Sequence, residues 1–136
     1  MKSGITARIL LIDDEPLVLE MFESALSSEG YDVVLACNGQ EAVSLLESTF
    51  FDLAVCDVMM DGLDGFDFLN LARRKNPSMG VVLITGAPSN NDALRAAGLN
   101  ALYLSKPIGI RALLDTVELV LRPKGVGASR VSANSS

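Results

Sequence analysis

The feature that most constrains this chain is a set of short apolar runs with no regular alternation of polar and apolar residues. They are Ile9-Leu10-Leu11-Ile12, Phe51-Asp52-Leu53-Ala54-Val55-Cys56, Val81-Val82-Leu83-Ile84 and Ala101-Leu102-Tyr103-Leu104. Runs of this length read as strands covered on both faces, the pattern of a parallel sheet. Asp32 to Ala36 reads as a further strand. The segments between them have a helical period. Pro16 stands at a first helical position before Leu17, Val18, Met21, Phe22, Ala25 and Leu26, and Gly30 stops that helix. Asn38-Gly39 opens a helix carrying Ala42, Val43, Leu45 and Leu46. Gly62 to Gly65 reads as a flexible loop, followed by a helix from about Phe66 to Lys75 that Asn76-Pro77 ends. Ser89 or Asn90 caps a short helix running to near Gly98, and Ile110, Leu113, Leu114, Val117, Val120 and Leu121 form the cleanest amphipathic stripe. Five strands alternating with five helices predict an α/β fold, a doubly wound parallel sheet with right-handed crossovers.

Polar groups follow the strands in a regular way. Asp13-Asp14-Glu15 closes the first run, Asp57 the third strand, Thr85 the fourth, and Ser105-Lys106-Pro107 the fifth. Carboxyl ends of parallel neighbours share one edge of the sheet, where open α/β sheets place their ligand sites. Three or four acids in one crevice repel one another and raise each other's pKa. A hard divalent ion with oxygen ligands, Mg2+, resolves that conflict. A hydroxyl and an ammonium converging on a metal-bound carboxylate suit a transferred phosphoryl group: the metal and Lys106 neutralise its oxygens and Thr85 donates a hydrogen bond. Asp57 is then the candidate nucleophile, forming an aspartyl phosphate.

Composition narrows the classes. The 136 residues suffice for one domain. No apolar stretch approaches the roughly 20 residues of a membrane helix, and Met1-Lys2-Ser3-Gly4 lacks the apolar core of a signal peptide, so the cytoplasm is the expected compartment. A net charge of −6 without a dense basic stretch argues against direct nucleic-acid binding. Cys37 and Cys56 lack metal-ligand spacing and read as buried free thiols. Histidine is absent, so the chain cannot form a phosphohistidine of its own.

Together, Asp13, Asp14, Asp57, Thr85, Tyr103, Lys106 and Pro107, with the stretch Asp57-Val58-Met59-Met60-Asp61-Gly62-Leu63-Asp64-Gly65, make the chain resemble the receiver domain of two-component response regulators over roughly residues 7 to 121. The resemblance implies a flavodoxin-like (βα)5 fold with strand order 2-1-3-4-5. Beyond Arg122-Pro123 the composition shifts to Gly, Ser, Ala and Val without periodicity, so residues 1–122 read as the receiver unit and 123–136 as a flexible tail or linker stub. The resemblance implies Mg2+ held by the carboxylates of Asp14 and Asp57 and the backbone carbonyl of Met59, with Asp13 acting mainly through water. It also implies a switch in which Thr85 moves toward the phosphoryl group and Tyr103 turns inward, and a cis Lys106-Pro107 bond, a state tolerable only before proline. The implied partners are a sensor histidine kinase or histidine phosphotransfer protein, a downstream effector or output domain, and a second copy of the chain through the face of the fourth helix, fifth strand and fifth helix. The first helix is where such domains dock their phosphodonors.

The chain departs from the family pattern at Asp61, where proline is usual, and at Ile108, where an aromatic is common. Met59 and Ala87 occupy variable positions that tune phosphate lifetime in the family. Glu15 reads as a charge suited to the start of the first helix. Two other functions compete. A metal-dependent phosphohydrolase of the haloacid-dehalogenase type needs an acid two residues after its nucleophile, where this chain has Met59. A degenerate receiver serving as a constitutive interaction module is at odds with the intact acids, Thr85 and Lys106.

Overall fold

The computed structural model describes residues 6–60 and 63–122. Its main sheet has five parallel strands in the order β2-β1-β3-β6-β7: β1 (Arg8–Ile12), β2 (Asp32–Ala36), β3 (Leu53–Asp57), β6 (Gly80–Thr85) and β7 (Leu102–Ser105). Counting only these five in chain order gives 2-1-3-4-5, the flavodoxin-like arrangement. The helices are α1 (Pro16–Ser28), α2 (Gly39–Ser48), α3 (Gly65–Lys75), α4 (Asn90–Gly98) and α5 (Ile110–Leu121).

Each strand sends alternate residues to opposite faces, so the uniformly apolar runs feed two cores. Leu10, Ile12, Ala54, Cys56, Val81 and Leu83 pack with α2, α3 and α4 through Ala42, Leu46, Phe66, Phe68, Leu69 and Ala96. Ile9, Leu11, Val55, Val82 and Ile84 pack with α1 and α5 through Leu19, Phe22, Leu26, Leu113 and Val117. At about 1.5–3 kcal/mol for each large side chain fully buried, these two layers are the main source of stability, and they hold the strand ends in register.

Local chemistry sets the helix ends. Pro16 begins α1, and Gly30, at φ 94°, lets the chain turn away from it. Asn38 caps α2 by accepting from the Glu41 amide at 2.8 Å, and the Glu41 carboxylate accepts from the Cys37 amide at 2.8 Å. Ser89 caps α4 in the same way, at 3.1 Å from the Asp92 amide.

Two expectations need correction. Within the stretch expected as a loop, Leu63–Asp64 forms a short strand, β5, paired antiparallel with β4 (Met59–Met60), and α3 begins at Gly65. Asp64 caps α3, its carboxylate accepting from the Phe66 amide at 2.6 Å. The Gly65 amide donates to the Val58 carbonyl at 2.8 Å, and a Cβ at Gly65 would lie 2.8 Å from Val58 Cα and 2.9 Å from the Asp57 carbonyl oxygen. Only glycine lets α3 start this close to the end of β3. The second correction is Cys37, which is exposed, while Cys56 is buried as expected. Cys37 follows the last residue of an edge strand, where, among the described residues, nothing covers it on the outer side. Gly62, Asp61 and the expected tail over 123–136 lie outside the described residues.

Candidate functional site

Sheet register brings the strand ends together. Ile12 lies beside Cys56, so Asp13 and Asp57 are the next residues out on adjacent strands. Ile84 lies beside Asp57, and Thr85 beside Ser105, which puts Lys106 one residue beyond the same edge. The Lys106 amide donates to the Thr85 carbonyl at 2.7 Å, and the Lys106–Pro107 bond is cis. Asp13, Asp57 and Thr85 are buried polar residues at 5, 7 and 1% exposure, while Asp14 is exposed.

Lys106 ties the acids together. Its Nζ lies 3.0 Å from Asp57 Oδ2, 3.2 Å from Asp13 Oδ2 and 3.3 Å from Glu15 Oε1. Asp57 Oδ1 accepts from the Met59 amide at 3.1 Å, and Asp13 Oδ1 from the Glu15 amide at 2.9 Å. Burial pushes the Asp13 carboxyl above the usual carboxylate range, against the Glu15 amide and the charge of Lys106, which pull it down, while Asp57 adds to the rise. For Lys106, burial works against the charged form, but the hydrogen bond to Asp57 and the charges of Asp13 and Asp57 outweigh it and hold the ammonium above the ordinary lysine range. Burial also pushes the Cys56 thiol far up, with the Asp57 charge adding to it, so this sulfur is an inert neighbour of the site.

Three carboxylates therefore surround one ammonium, and a fourth acid, Asp14, stands beside two of them. One oxygen each of Asp13, Asp14 and Asp57 lies within 4.8 Å of the others. Mg2+ takes oxygen ligands at about 2.0–2.1 Å, and carboxylates gathered in one cluster are the kind of donors it would take. The hard oxygen donors and the excess negative charge fit such an ion.

Thr85 and Tyr103 lie beside this crevice in hydrogen bonds of their own. Thr85 Oγ1 accepts from the Ala87 amide at 3.0 Å, and the half-buried Tyr103 hydroxyl accepts from the Ser89 amide at 3.1 Å, at the cap of α4. Met59 exposes its side chain, 68% accessible. The residue that sequence reasoning left out of the site is Glu15. It sits in the acidic triplet, but its contact is with a lysine 91 positions away, and no local pattern announces that.

A doubly wound sheet with acids, a buried threonine and a lysine at the carboxyl edge of its strands defines a class of protein. Residues 9–118 match the family described as the response regulator receiver domain, and the chain belongs to that family. It is 34% identical to the probable transcriptional regulatory protein TcrX of Mycobacterium tuberculosis, over 90% of this chain and 53% of that protein. It is 32% identical to the heme response regulator HssR of Staphylococcus aureus, over 88% of this chain and 54% of that one. The chain thus spans about half the length of these relatives. Among solved structures, a CheY-like receiver domain protein from Methanospirillum hungatei has a TM-score of 0.82 at 30% identity, covering 86% of this chain and 94% of that one. The beryllofluoride-activated NtrC4 receiver domain dimer has a TM-score of 0.79 at 30% identity, covering 84% and 95%. The chain is a receiver domain of two-component response regulators, a class of phosphoacceptor signalling modules that act as switches. Among the described residues, no helix is long and apolar enough to cross a membrane.

Proposed function

We propose that this domain is a phosphorylation switch in which Asp57 accepts a phosphoryl group from a phosphohistidine on a sensor kinase or phosphotransfer protein, in a Mg2+-dependent reaction. The observation that carries this reading is the placement of Lys106 Nζ 3.0 Å from Asp57 Oδ2, beside a cluster of three carboxylates. A carboxylate oxygen of Asp57 attacks phosphorus, the bond to the donor nitrogen breaks, and the leaving imidazole takes a proton from solvent. Asp14, Asp57 and the Met59 carbonyl would hold Mg2+, with Asp13 acting through water, and the ion would supply charge neutralisation at the phosphoryl oxygens. Lys106 offers a second positive charge on the same side, and the amide at Met59, already bonded to Asp57, helps orient the nucleophile.

The proposed output begins at Thr85 and Tyr103. When the Thr85 hydroxyl turns to the phosphoryl group it leaves the Ala87 amide, and when Tyr103 turns inward it leaves the Ser89 amide, loosening the start of α4. The face of α4, β7 and α5 then presents a changed surface to an effector, an output domain or a second copy. The beryllofluoride-activated NtrC4 receiver domain is a dimer, which supports a second copy as a partner here. In this reading the receiver unit covers residues 1–122, 123–136 form a tail or linker stub, the domain itself contacts no nucleic acid, and it works in the cytoplasm.

The test is phosphorylation by acetyl phosphate, with and without Mg2+, read by intact mass. Wild type should gain one phosphoryl group only with Mg2+, and Asp57→Asn should gain none. Undiminished labelling of Asp57→Asn would overturn the assignment.

A further inference from the structure

An ammonium has three N–H donors, and in this site it faces three carboxylates, hydrogen-bonded to Asp57 and Glu15 and ion-paired with Asp13. Lys106 Nζ meets Asp57 and Asp13 at 3.0 and 3.2 Å, and Glu15 at 3.3 Å. The first two belong to the acid cluster that fits a divalent cation. Glu15 does not. It is the residue preceding α1, and its side chain makes no capping bond. Its backbone is anchored, because the Glu15 amide donates to Asp13 Oδ1 at 2.9 Å. Among the described residues its carboxylate has Lys106 as its hydrogen-bond partner.

Lys106 thus neutralises the same two buried carboxylates that a divalent ion would need. An ammonium and a divalent cation on the same oxygens repel each other, so binding the cation must loosen the contacts of Lys106 with Asp13 and Asp57. Losing both to solvent would oppose cation binding. We propose that Glu15 is a positioning residue that keeps Lys106 when a divalent cation takes Asp13 and Asp57. The ammonium then retains a carboxylate partner it already touches, at the solvent side of the crevice, where Glu15 is 61% exposed and Lys106 22%. From there the lysine still borders Asp57. Glu15 in this way eases the exchange of one cation for another and raises Mg2+ affinity. The inference rests on the reading of the acid cluster as a cation site.

A double-mutant cycle on the full chain tests it. Mg2+ affinity is measured by backbone amide shifts for wild type, Glu15→Gln, Lys106→Met and the double variant, with circular dichroism checking that all four are folded. Glu15→Gln should weaken Mg2+ binding about two- to fivefold in the wild-type background, equivalent to about 0.4–1 kcal/mol. In the Lys106→Met background the same change should have an effect under about 1.5-fold, since the lysine through which Glu15 acts is gone. An equal loss in both backgrounds would show that Glu15 acts only through its general field, and no loss in either would show that it does not act; each result overturns the proposal. Absence of Mg2+ binding by wild type would instead overturn the cation site itself and the inference with it, so the two failures are distinguishable.

Discussion

Replacing Lys106 by methionine should destabilise the metal-free protein by about 2–3 kcal/mol at neutral pH. The hydrogen bond lost to Asp57, at 3.0 Å, and the ion pair lost to Asp13, at 3.2 Å, reach side chains that are each 8% exposed. Charge-assisted hydrogen bonds of this kind contribute about 1.5–3 kcal/mol each. The third partner, Glu15, is 61% exposed and adds little. Part of the loss is recovered because the two acids can share a proton or draw in solvent once the ammonium is gone. The pH dependence follows from Asp13, whose pKa is already raised by burial and held down in part by Lys106. In the variant it rises further. An acid with a folded pKa above its unfolded one binds protons more tightly when folded, so stability falls as pH rises through that range. The variant is therefore penalised most at neutral pH and recovers toward about pH 4, where carboxylates protonate. The stabilisation of wild type by Lys106, whose pKa is raised, is fully present at neutral pH and fades only above about pH 10. Urea unfolding at the two pH values reads the difference. In thermal melts at neutral pH it corresponds to a drop of roughly 6–15 °C for a domain of this size. Saturating Mg2+ should shrink the deficit, because a bound ion stabilises by mass action and replaces the lost positive charge. A deficit equal at both pH values, or none at either, would refute this account of the charge balance.

Gly65→Ala should destabilise the fold by about 1–3 kcal/mol in chemical denaturation, as overpacking does: the new Cβ would lie 2.8 Å from Val58 Cα, a backbone atom that cannot swing aside. Wild-type stability would mean that the start of α3 has more room than its geometry allows. Addition of beryllofluoride with Mg2+ should shift the amides of α4, β7 and α5, with the Ser89 amide among the largest changes as Tyr103 releases it. Shifts confined to the acid cluster and α1, with residues 90–121 unaffected, would refute the proposed output face.

Much of this domain was legible in its sequence because the signals are local. Apolar runs without alternation marked the strands, covered on both faces in β1, β3 and β6 but not in the edge strand β7, where Leu102 is exposed. Pro16, Asn38, Ser89 and Gly30 marked helix ends through bonds or backbone angles that span only a few residues. The polar residues closing each run were legible for the same reason, since a parallel sheet carries every strand's carboxyl end to one edge. Only the tertiary structure decided what lay between those ends. Glu15 looked like a helix-start charge until the sheet placed Lys106 beside it from 91 residues away. The pairing of Met59–Met60 with Leu63–Asp64 depends on how closely Gly65 lets α3 approach β3, and the exposure of Cys37 on β2 lying at the edge of the sheet. Sequence period and capping act over a turn of helix or a pair of strand residues. Contacts between elements follow instead from strand order, register and the packing of two cores, which belong to the whole chain.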